Sequence, residues 1–165
     1  MRFANICIGA IALAFLACSA LAADDDGLAR MALCKDSWID WGKHDPAKMQ
    51  AFANRFRAQF ALPHGNVPFV VPKAKISVLG FRVERAFPES VGMGVGFSLT
   101  VNATFDGARK AVEKALGEPL GKCRSGEDMR SCALEIAPQR TVMLMAEDKP
   151  GTGDTLIGCY YFYEK

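Results

Sequence analysis

The chain has 165 residues, a formal net charge of +2 and a composition that is half apolar. The length suits one domain or at most two, and the apolar share excludes a disordered tail. A charge this close to zero carries no basic footprint, so nucleic acid is not expected as a partner.

The first segment reads as an export signal. Arg2 supplies a short positive start, Ile6 to Ala17 is an uncharged apolar or small-residue run, and Ala20-Leu21-Ala22 fits the small-x-small pattern before a cleavage site. The run falls short of the roughly 20 apolar residues that span a bilayer. Cleavage after Ala22 removes one of the 20 basic residues and none of the 18 acidic ones, leaving residues 23–165 as a single domain of 143 residues and charge +1. Phe15-Leu16-Ala17-Cys18 resembles a lipobox with phenylalanine in place of the usual leucine. A form lipid-anchored through Cys18 is therefore the alternative to plain release into the periplasm or medium.

Four cysteines follow the signal: Cys34, Cys123, Cys132 and Cys159. An even number in an exported chain reads as two disulfides, with three possible connectivities. The favoured pairing is Cys123–Cys132, which flanks a polar loop over 124–131, with Cys34–Cys159, which ties the first helix to the last strand. No CxxC is present and both histidines lie far from the cysteines, so no metal is expected.

Asp26 is expected to cap a helix over 27–42, with Met31, Cys34, Trp38 and Trp41 on one face. Asp45-Pro46 then opens a second helix running to about Ala61, with Met49, Phe52, Ala53, Phe56 and Phe60 as its core stripe. Lys75 to Phe87 reads as a strand whose alternation changes phase near Gly80, where a bulge is expected. Pro88-Glu89-Ser90 reads as a turn. From Ser90 to Phe105 apolar and small or polar residues alternate strictly, which predicts a long half-buried strand. Asp106 is expected to cap a helix over 107–116, with Gly117 as its C-terminal cap. Two strands are expected near 132–137 and 140–147 around a Pro138-Gln139 turn. A polar turn over 148–154 leads to a last strand over 156–163. The fold class is α+β: an antiparallel sheet of about five strands, two N-terminal helices and one helix inserted between strands.

Catalytic signatures are missing. His44 and His64 each sit beside proline-containing turns with nothing nearby to complete a triad. There is no GxSxG elbow, phosphate-binding loop, HExxH or EF-hand loop. Gly92-x-Gly94-x-Gly96 lies inside a strand pattern, whereas a dinucleotide site needs a strand-to-helix turn. Asn102-Ala-Thr104 matches a glycosylation sequon but also lies in the strand. The carboxylates are scattered, and no spacing marks an acid–base pair. No cofactor is expected.

Three glycines on one strand face cost roughly 0.5–1 kcal/mol each, so they need a cause. Strand coiling or close packing is one. The other follows from the disulfide pairing. If Cys159 points at the first helix, Tyr160 and Phe162 point to the opposite face, the same one that Gly92, Gly94 and Gly96 occupy on their strand. Exposed aromatics beside a flat glycine floor suit partner binding. The leading expectation is a small, exported, non-catalytic binding protein, most concretely a bacterial periplasmic inhibitor or immunity-type protein acting on an envelope protein. The alternatives are an envelope assembly module whose sheet edge pairs with a partner strand, and an enzyme of unfamiliar type using scattered carboxylates or His44 and His64.

Overall fold

The structure, a computed structural model, describes residues 24–36, 46–61, 68–91, 94–147 and 153–162. The segment expected as an export signal, Trp38, Trp41, His44, His64, Gly92 and most of the 148–154 turn lie outside the described residues.

Helix α1 spans Asp26–Ala32, and its cap is Asp25 rather than Asp26: the Asp25 carboxylate accepts the Leu28 N–H at 2.9 Å. It ends ten residues before the expected boundary. Cys34 takes a left-handed φ of 54°, and the Lys35 N–H closes onto the Arg30 carbonyl at 2.7 Å. That is a Schellman-type stop, with a disulfide-held cysteine in the place glycine usually fills. Helix α2 spans Pro46–Gln59 and opens on proline as expected. Phe60-Ala61 then leaves the helix as β1, paired with β2 (Val71–Pro72).

The phase change at Gly80 is a chain reversal rather than a bulge. β3 (Ser77–Val78) pairs antiparallel with β4 (Phe81–Val91) across Leu79 and Gly80, which both have positive φ. This is the geometry that two-residue hairpins require. The bulge lies further on, between Val83 and Arg85. Pro88 does not turn the chain; it sits in β4 opposite Phe97. Two residues earlier, Ala86 exchanges both backbone hydrogen bonds with Val70, so even-numbered amides here point to the outer edge. The missing N–H of Pro88 faces that edge, where no described strand continues the ladder.

β5 (Gly94–Asn102) carries the strict alternation and leads to α3 (Phe105–Leu116). Thr104 rather than Asp106 is the cap of α3, accepting the Gly107 N–H at 3.2 Å, and Asp106 falls in the first turn, bonded to Arg130. Gly117 closes the helix with φ 82°. The polar stretch expected as a loop is a hairpin of β6 (Lys122–Ser125) and β7 (Met129–Ala137). β8 (Arg140–Glu147) and β9 (Asp154–Phe162) complete the chain.

The fold is a mixed helix-and-sheet structure with seven strands in its main sheet, ordered β3-β4-β5-β9-β8-β7-β6 and antiparallel throughout. The expected count of about five omits β3 and β6, and the helices differ in length and start from those expected. Both strands were hidden by their chemistry. β3 has two residues, and β6 is an exposed edge whose charged residues make no hydrophobic pattern. Two disulfides join the expected partners, Cys34–Cys159 and Cys123–Cys132.

The three described helices lie on one face of this sheet. Phe97, Leu99 and Val101 of β5, Ile157 and Cys159 of β9, and Val142 and Leu144 of β8 point there and are buried. They meet Leu28 and Ala32 of α1 and Ala108 and Val112 of α3 in one core. Phe52 and Phe56 of α2 close edge-on against Phe97, with ring centroids 5.9 and 6.3 Å away. The first described residues are tied down as well. Asp24 accepts the Gly80 N–H, and Asp25 binds Arg55 and Gln59 of α2. Among the described residues no helix is long and apolar enough to cross a membrane.

Candidate functional site

The opposite face of the sheet carries no described helix. The ladder fixes which residues share it, because directly opposed partners point the same way. Gly94 stands opposite Phe162, Gly96 opposite Tyr160, Ser98 opposite Gly158 and Thr100 opposite Leu156. Across β9, Tyr160 faces Thr141, Gly158 faces Met143, and Leu156 faces Met145. At the outer side Phe87 of β4 packs against Phe69 at 5.9 Å, and the Arg85 guanidinium lies 5.0 Å over the Phe69 ring.

The register therefore places Gly94, Gly96, Tyr160 and Phe162 together on the face opposite Cys159. Tyr160, however, is not an exposed anchor beside a bare floor. Its ring lies down on the floor: a β-carbon on Gly96 would come within 2.5 Å of Tyr160 Cδ1, and one on Gly158 within 2.8 Å of Cε2. Tyr160 is 6% exposed, whereas Phe162 is 40% exposed. Gly96 and Gly158 have a packing cause, since a flat-lying aromatic needs small neighbours beneath it. Gly158, which supplies half of that floor, was missed because it stands alone in an aromatic-rich strand.

Toward the other end of this face lies a groove of about 680 Å³. Thr100, Leu156 and Met145 form a row across its floor, with Arg85 at the β4 end of that row; Asp154, Glu147 and Met129 stand in the next row along β9, β8 and β7. These residues come from five strands, so no local motif announces them. The available signal was the run Val142-Met-Leu-Met-Ala146, apolar at successive positions where a strand with one watered face alternates. Met129 is 52% exposed at the end of the same face.

A smaller cleft of about 340 Å³ lies between α1 and α2, lined by Gly27, Met31, Phe52 and Arg55 among others. Its polar chemistry is structural. Arg55 pairs with the Asp25 carboxylate that caps α1 and packs over Gly27, tying the two helices together.

The described residues offer little for catalysis. All four described cysteines are in disulfides, and among the described residues no group of three His, Cys, Asp or Glu side chains converges as metal ligands would. Glu113 is held below the ordinary carboxylate range, first by a hydrogen bond from Arg109 at 2.8 Å, against the opposing effect of burial, and then by the Leu120 N–H at 3.0 Å and the charge of Arg109. This carboxylate fastens the end of α3 to the chain leading into β6. It faces no groove described above. No family of known proteins, no curated protein and no solved structure matches this chain.

Proposed function

We propose that this chain is a small exported binding protein without catalytic activity, acting on a protein partner in the cell envelope, in its most concrete form a periplasmic inhibitor or immunity-type protein. One observation carries the reading. Three helices cover one face of the sheet, and no described helix covers the other, although that other face presents Met129, Met143, Met145, Leu156 and Phe162. Apolar side chains on an uncovered sheet face are characteristic of interaction surfaces. The two disulfides suit an oxidising compartment, and the apolar first segment supplies the route there.

The strand-pairing alternative has less support. The last strand, β9, is paired on both sides by β5 and β8. The outer edge of β4 carries Pro88, and the β6 edge carries Lys122 and Arg124, both familiar guards against edge pairing. The enzyme alternative rests on His44 and His64, outside the described residues, and on scattered carboxylates.

The test is affinity capture from an envelope extract with the wild-type protein, with Phe162→Asp and with Met143→Asp. The expected result is a partner that both variants lose while keeping the wild-type melting temperature. A partner held equally by all three proteins would overturn the assignment of this face.

A further inference from the structure

The groove at the Met145 end of the open face brings opposite charges to one apolar floor. Arg85 stands on β4 at one side. Asp154, with Glu147 beside it, stands on β9 and β8 at the other. Among the described residues neither the Arg85 guanidinium nor the Asp154 carboxylate takes part in a hydrogen bond or ion pair; Arg85 stacks over Phe69. They do not reach each other. Arg85 is paired with Thr100, Thr100 with Leu156, and Asp154 lies two residues beyond Leu156. Two strand spacings and two residues of rise separate their backbones by roughly 12 Å. Thr100 of β5 lies between their strands, Leu156 adjoins Asp154 on β9, and the apolar floor continues past Leu156 to Met145 of β8 and Met129 of β7.

From this we infer that the groove is a site for free short peptides of about three residues with apolar side chains. The inference rests on the reading of the open face as a binding surface and adds a ligand to it. A zwitterion is the species that satisfies both ends. Its ammonium belongs beside Asp154 and Glu147, and its carboxylate beside Arg85, whose planar fork matches a carboxylate. An extended residue spans about 3.3–3.6 Å, so three cover roughly 10 Å, which suits the gap once the side chains at each end are counted. At the ammonium end, beside Asp154 and Glu147, Leu156 and Met145 offer the peptide's side chains an apolar floor, and methionine accepts varied shapes because it is unbranched and polarizable. The volume of about 680 Å³ lies inside the usual range for small-ligand sites.

The test is calorimetric titration of the purified protein with Leu-Leu-Leu, with its N-acetyl and C-amide forms, and with decanoate, which has a carboxylate and an apolar body but no ammonium. The free tripeptide is expected to bind, and each cap to weaken it about tenfold. Asp154→Asn should weaken the free peptide and abolish the penalty of acetylation. Arg85→Gln should do the same for amidation. Both positions are exposed, and an unchanged melting temperature confirms that the variants fold. No heat with the free peptide to about 10 mM, well past ordinary small-ligand affinities, would overturn the site. So would equal binding of capped and free peptides, or decanoate binding as tightly as the tripeptide. Capture of an envelope partner through Phe162 without peptide binding removes this site and leaves the proposed function. Peptide binding without such capture does the reverse.

Discussion

Tyr160 lies across Gly96 of the neighbouring strand so closely that a β-carbon at residue 96 would come within 2.5 Å of its ring. Glycine in a strand interior is unfavourable by itself, so alanine should stabilise position 96 if space allowed. Space does not allow it while the tyrosine lies flat. Gly96→Ala is expected to destabilise by about 1–3 kcal/mol, the usual cost of overpacking. The ring can swing away at Gly96. Gly158 has less freedom, because its β-carbon would also meet Ser98 Cβ at 2.6 Å and the Phe97 carbonyl at 3.1 Å. Chemical denaturation should therefore rank Gly158→Ala as the more damaging. Adding Tyr160→Ala should make Gly96→Ala nearly harmless, whereas simple additivity would show that the ring does not occupy the floor.

The two disulfides close loops of very different length, 125 and 9 residues apart. If constraint of the unfolded chain dominates, Cys34–Cys159 contributes about 5 kcal/mol and Cys123–Cys132 about 2.6 kcal/mol. Replacing each pair by serine and measuring unfolding in urea should show the larger loss for the long bridge. Equal losses would contradict the chain-entropy account. Peptide mapping of the non-reduced protein checks the pairing itself.

Tyr161 is fully buried on the helix-covered face, and among the described residues its hydroxyl has no hydrogen-bond partner. An unpaired buried hydroxyl costs about 1–3 kcal/mol, and phenylalanine fills the same space without it. Tyr161→Phe should leave stability unchanged or raise it by up to about 1 kcal/mol in thermal or urea unfolding. A clear loss would mean that the hydroxyl is engaged.

Glu113 has a folded-state pKa below its ordinary value because Arg109 and the Leu120 N–H favour the charged carboxylate, Arg109 most. Its contribution is thus present above the unfolded pKa and lost as the pH falls through the folded one. Glu113→Gln should melt about 2–4 °C below wild type at pH 7. The gap should close as acid protonates the wild-type carboxyl. A gap that persists in strong acid would assign the difference to packing rather than charge.

Much of the fold was legible because it obeys single-face chemistry. The alternation through Phe97, Leu99 and Val101 marks a central strand with one covered face. Gly117 and the 138–139 turn bound elements that lie close to where pattern puts them, whereas the cap of α3 is Thr104 in place of the expected Asp106. The failures share a cause, which is structure imposed from a distance. The end of α1 at Cys34 is set by a bond to residue 159, and a cysteine with positive φ gives no local sign of itself. Pro88 reads as a turn until Ala86 is seen to point its amide at Val70. The face of Tyr160 and Phe162 followed from a disulfide guess, but whether each lies flat or stands exposed depends on Gly158 and on the strand order. The Met129–Met145–Leu156 groove depends wholly on that order, since its walls are distant in sequence.

The central claim is that the open sheet face is the binding surface. It is tested most directly by purifying the captured envelope partner and titrating it into wild-type protein, Phe162→Asp, and Lys110→Glu on the exposed side of α3. The account predicts a loss of at least about tenfold for Phe162→Asp, as for a contact near the centre of an interface, with no change for Lys110→Glu. Equal affinity for wild type and Phe162→Asp, or a loss confined to Lys110→Glu, would contradict it.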